Sequence, residues 1–105
     1  MATATPTKYE HVEIQFLSVT EPPILEIGTV IDRGDEMVLD IPDYDGTPFY
    51  VVKGIRRGHH YCGAHSVFGD ETRITATWTA LDDRYVGVWV ENGREWFFTF
   101  SLVSE

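Results

Sequence analysis

The stretch "RYVGVWVENGREWFFTF", residues 84–100, decides the fold. Asn92-Gly93 separates two alternating runs, and a two-residue type I′ hairpin turn needs φ > 0 at both central positions, which Asn and Gly accept most readily. That turn sets Trp89 opposite Trp96, Gly87 opposite Phe98 and Tyr85 opposite Phe100. Reading Asp82-Asp83 as a second two-residue turn sets Ala80 against Tyr85, Trp78 against Gly87 and Ala76 against Trp89. All of these fall on one face, because side chains alternate strictly along a strand.

That face runs Ile74, Ala76, Trp78, Ala80, Tyr85, Gly87, Trp89, Trp96, Phe98, Phe100, with small residues beside large ones, which is how a packed face fills its volume. The opposite face runs Arg73, Thr75, Thr77, Thr79, Val86, Val88, Val90, Glu95, Phe97, Thr99, Ser101 and suits a solvated strand surface. Burying each of three tryptophans and two phenylalanines contributes roughly 2–3 kcal/mol, so the rings are assigned to a core rather than to a stacking platform. Trp78 and Trp89 are the exception, since an indole N–H aimed into an enclosed cavity can hold a small ligand. With Tyr85 and Tyr61 they are the pocket candidates.

Outward from this stretch, period-two runs bounded by turn residues recur along the whole chain, and no run carries apolar residues at helical spacing over a dozen positions. The expected strands are 8–19, 24–31, 36–41, 48–56, 60–67, 72–81, 84–91 and 94–102. In the first, Val12, Ile14 and Phe16 face inward. In the second, Leu25, Ile27, Thr29 and Ile31 are assigned inward over Ile24, Glu26, Gly28 and Val30. Met37, Leu39 and Ile41 face inward in the third, and Phe49, Val51 and Ile55 with Tyr50 and Val52 are read as buried on both sides. The fold class is therefore all-β: a small antiparallel barrel or two-sheet sandwich of about seven to eight short strands, mostly joined by hairpins. Residues 1–105 form one domain, with 1–7 as a flexible tail.

Eight Lys and Arg against seventeen Asp and Glu give a net charge of −9, which repels phosphate backbones and argues against nucleic acid as a partner. The charge serves solubility, or it makes the chain an acidic inhibitor of a basic protein. No apolar run approaches the roughly 20 residues that span a bilayer, and "MATATPTKYEH" lacks the apolar stretch of a secretory signal. A single cysteine, Cys62, permits no internal disulfide and fits a reducing compartment. These readings place the protein in the cytoplasm, without a membrane partner.

Chemistry concentrates in "GHHYCGAH", residues 58–65, which holds three of the four histidines and the cysteine. Metal binding needs donors converging on one point, and residues i and i+2 share a strand face. His60 and Cys62 meet that rule. His65 joins them only if a bulge at Gly63 adds one residue, and glycine within a strand often marks one. The implied site is His60, Cys62 and His65 around one transition metal ion, with His59 or His11 as alternates and Glu13 or Tyr61 as acid/base. The competing account needs no cofactor: Cys62 is a small buried hydrophobe, Gly63 and Ala64 allow close packing, and the histidines are surface residues. A Cys62 nucleophile with a histidine base lacks an oxyanion motif and a helix N-terminus to lower the thiol pKa.

Asp43 and Asp45 before Gly46, with Asp40 upstream, resemble a calcium loop but lack its twelfth-position glutamate, so they read as a turn. The Arg33-Gly34-Asp35 triplet is a hairpin connection, and Lys53, Arg56 and Arg57 are a basic turn tip. With no complete catalytic constellation, the sequence supports a small non-catalytic binding module for a small molecule or a protein partner. Its alternatives are a metal-dependent small β-barrel of cupin-like type using the 59–65 cluster, and the acidic inhibitor. An exposed strand edge would also allow a homodimer.

Overall fold

Both residues of the Asn92-Gly93 turn take the left-handed conformation a type I′ hairpin requires, at φ 50° and 84°. The computed structural model describes residues 6–42, 48–65 and 73–102. Its strands are β1 (Thr7–Leu17), β2 (Ile24–Asp32), β3 (Glu36–Pro42), β4 (Pro48–Arg57), β5 (His60–His65), β6 (Ile74–Leu81), β7 (Arg84–Glu91) and β8 (Arg94–Phe100). Each strand pairs antiparallel with its neighbours in sequence and β8 pairs back to β1, so the sheet closes into a barrel rather than splitting into a sandwich. The six facing pairs read from the two turns across β6, β7 and β8 are all present. Of the expected tail, Thr7 belongs to β1, and residues 1–5 lie outside the described residues.

The interior is filled by the aromatic face of β6–β8 against Val12, Ile14 and Phe16 of β1 and Met37, Leu39 and Ile41 of β3. Trp78 and Trp89 are each 1% exposed. Rings form a continuous column: Tyr85 stacks on Phe100 at 5.1 Å, Phe100 on Phe98 at 6.1 Å, and Phe98 meets Trp89 edge-on at 5.7 Å. Trp89 in turn meets Phe16 edge-on at 5.0 Å. These separations are those at which aromatic pairs attract beyond simple area burial. Trp78 reaches across the interior to β4, where a Cβ on Gly54 would run into its six-membered ring, and its indole N–H donates to Met37 Sδ at 3.3 Å. The glycine at position 54 is what makes room for the largest side chain in the core.

Two strands depart from the sequence reading. In β2 the inward set is Glu26, Gly28 and Val30, while Leu25 and Ile27 are 55% and 43% exposed on the outer surface. Counting apolar residues favoured the wrong set. Pairing decides it: Ile14 faces Glu26 and Val12 faces Gly28, so the partners of inward β1 residues are inward too. A Cβ on Gly28 would also lie 2.7 Å from the Asp40 carbonyl oxygen, a close approach that leaves no room for a side chain. In β4 only one face is buried: Val52 and Gly54 point in, and Ile55 is exposed. The side chain of Phe49 lies outside the described residues.

The barrel has two ends. The upper end carries the connection 18–23 and the Asn92-Gly93 turn. The lower end carries the tight turns at 33–35, 58–59 and 82–83. Ring closure gives every strand a paired neighbour on each side, so no strand presents a wholly free edge, although stretches such as Thr7–Glu13 of β1 and Ile24–Gly28 of β2 are paired on one side only among the described residues. No helix of the described residues is long and apolar enough to cross a membrane.

Candidate functional site

The upper mouth is a cavity of about 130 Å³ walled by Phe16, Ile24, Glu26, Tyr50, Trp89, Glu91 and Trp96. Its floor is the ring column, since Phe16 and Trp89 belong both to that column and to the wall. Strand alternation brings Glu91 here: it stands two residues beyond inward-facing Trp89 on β7 and so shares its face. The end of β7 is pinned, because Asn92 N–H donates to the Arg73 carbonyl at 2.8 Å and Arg73 N–H donates back to Asn92 Oδ1 at 3.0 Å.

Glu91 is held by two neutral donors. The Tyr50 hydroxyl donates to Oε2 at 2.9 Å and the Trp89 indole N–H donates to Oε1 at 3.1 Å. Tyr50 and Trp89 also meet edge-on at 5.9 Å, so three residues from β4 and β7 fix one another's orientation. Glu26 brings a second half-buried carboxylate from β2. On the rim, Arg94 reaches Glu21 at 2.7 Å and ties the 18–23 connection to the neighbouring hairpin.

The lower mouth differs. Asp32, Gly34, Arg56, His59, Tyr61, Ala80 and Tyr85 surround about 390 Å³, a wider and more polar opening. The Tyr61 hydroxyl donates to the Gly34 carbonyl at 3.3 Å and the ring stacks on Trp78 at 5.8 Å. Burial pushes the Tyr61 phenol above its ordinary pKa of 10.0, with the Asp32 carboxylate adding to the shift. Burial also raises Tyr85, helped by Tyr61.

No family model, curated protein or solved structure matches this chain. The site is therefore read from its own chemistry.

The four pocket candidates are divided by the structure: Trp89 lines the upper mouth, Tyr61 and Tyr85 line the lower one, and Trp78 lies in the core between them. The 59–65 cluster is spread over two faces. Tyr61 points inward onto Trp78, so His60 and Cys62 stand exposed on the outer surface, and Cys62 is not the buried hydrophobe of the cofactor-free account. The Thr77 hydroxyl lies 3.9 Å from Cys62 Sγ. Pairing runs unbroken from His60 to Ala64 on both sides of β5, so the bulge at Gly63 that would bring His65 to the His60 and Cys62 face is absent. His65 pairs with Val52 along the backbone, and its side chain lies outside the described residues. His59 sits in the turn, where its carbonyl accepts from Thr79 at 2.6 Å, and it belongs to the lower mouth. His11 and Glu13 stand on β1, four strands from β5 around the ring. His11 itself occupies the β1 bulge at φ 59°. Among the described residues no three His, Cys, Asp or Glu side chains converge on a point suited to a metal ion. The calcium-like Asp43, Asp45 and Gly46 lie outside the described residues.

The sequence reading missed Glu26, Tyr50, Glu91 and Trp96 as site residues. One signal was available: Glu91 shares the parity of Trp89, so a carboxylate had to end the aromatic face.

Proposed function

We propose that this protein is a small non-catalytic β-barrel binding module whose ligand seats in the upper mouth. The observation that carries this reading is a cavity with aromatic and aliphatic walls, a closed floor, and one carboxylate oriented by two fixed donors. Ligand sites combine an apolar lining with a few placed polar groups in this way. The volume of about 130 Å³ suits a small molecule or the head group of a larger one rather than a whole drug-sized ligand. Cys62, the one cysteine of the chain, is exposed and without a disulfide partner, which supports a reducing, cytoplasmic setting.

A thermal-shift screen with small fragments of differing charge tests this. A ligand present at 100 times its dissociation constant stabilises by about 2.7 kcal/mol, roughly ten degrees or more in Tm for a domain of this size. Hits are expected to stabilise the wild-type chain and to lose that effect in Trp96→Leu. Hits equally effective on Trp96→Leu would place binding elsewhere and overturn the reading.

A further inference from the structure

Resting on the upper mouth as the ligand site, we infer that it selects an organic cation, and within that class an alkylated ammonium group. Among the described residues the wall holds Glu91 and a second carboxylate, Glu26, and no Lys, Arg or His. Tyr50 and Trp89 are neutral donors, so their hydrogen bonds orient Glu91 without cancelling its charge. A charged group beside an apolar cavity favours an occupant of opposite charge, and partial desolvation strengthens that preference.

The kind of cation follows from the rest of the wall. Each Glu91 oxygen already accepts one hydrogen bond, so fewer acceptor sites remain for an incoming N–H than on a free carboxylate, while the charge is kept. Half-buried Tyr50 and Trp96, backed by buried Phe16 and Trp89, supply aromatic surface, which attracts a cation through the ring quadrupole without any donated hydrogen. A bare ammonium loses strong hydration on entering such a place, whereas an alkylated one brings methyl groups that suit apolar walls. Aromatic surface with a carboxylate behind it is a recognised way to hold quaternary ammonium. The cavity of about 130 Å³ matches a head group of that size class, and the chain's net charge of −9 draws cations toward the surface.

Choline and its neutral isostere 3,3-dimethylbutan-1-ol separate charge from shape. Calorimetric titration of both into the wild-type protein should give binding of choline at least tenfold tighter than the isostere. Glu91→Gln keeps the size and removes the charge, and should weaken choline about tenfold and the isostere by much less. Should Glu91→Gln melt early, the wild-type preference alone decides. Equal affinity for the two probes would overturn the cation assignment and leave the mouth standing as a ligand site. Binding of neither probe would also overturn it; fragment hits that still depend on Trp96 would keep the binding-module reading, and their absence would remove both.

Discussion

The two mouths of this barrel are built from the same kind of strand and end in different chemistry. Above the ring column, tight aromatic packing surrounds a carboxylate that two neutral donors hold in place. Below it, Arg56, His59 and Asp32 stand around two tyrosines at a wider opening. Among the described residues, the charged side chains that wall the upper mouth are carboxylates, whereas those of the lower mouth carry both signs. What separates them is the core itself: Trp78, Phe98 and Trp89 fill the barrel from wall to wall, so neither mouth communicates with the other.

That separation is most severely tested by removing the plug. Trp78→Ala should cost about 3–5 kcal/mol, the usual cost of emptying a buried tryptophan site, against a total stability of about 5–15 kcal/mol. Trp96→Ala, at the half-buried rim, should cost less than half as much. Urea melts of the two variants measure the difference, and equal losses would mean that rim and plug are not distinct layers.

The next test concerns β2, which supplies Glu26 to the upper mouth only if its inward set is the one observed. Val30→Ala should lose about 2 kcal/mol for a fully buried side chain. Ile27→Ala should lose under about 1 kcal/mol, because that side chain is 43% exposed. A larger loss at Ile27 would reverse the strand and take Glu26 out of the site.

A smaller effect marks the lower mouth. Tyr61 and Tyr85 have folded-state pKa values raised above 10.0, so the folded protein holds their protons more tightly than the unfolded chain does. Stability from this source is complete below pH 10 and falls as pH rises through the raised values. Stability measured from pH 9 to 12 should decline, and Tyr61→Phe or Tyr85→Phe should flatten the decline. Ultraviolet titration showing all tyrosines ionising together near 10 would contradict it.

The comparison of β2 with β7 explains how much could be read from sequence. In β6–β8 the turn residues are specific, since Asn92-Gly93 admits one hairpin geometry, and the register followed residue by residue to six observed pairs. Strand β2 has apolar residues on both faces and an open connection, 18–23, before it, so nothing local fixed its parity; its pairing with β1 did, across the barrel wall. The histidine-rich stretch shows a related limit of composition. Composition drew His59, His60, Cys62 and His65 together, but alternation along β5 sends neighbouring residues to opposite faces. The upper mouth was the least legible part, because it is assembled from β1, β2, β4, β7 and β8, and only closure of the barrel brings Tyr50 to Glu91.

The most direct test of the upper mouth as the binding site is a single nuclear magnetic resonance titration that watches both ends at once, with the best fragment from the thermal-shift screen as the probe. The account predicts that the indole N–H signals of Trp89 and Trp96 move with the added fragment, while those of Trp78 and the Tyr61 and Tyr85 rings stay in place. Movement of the Tyr61 and Tyr85 signals with Trp89 and Trp96 unmoved would place the ligand at the lower mouth and contradict it.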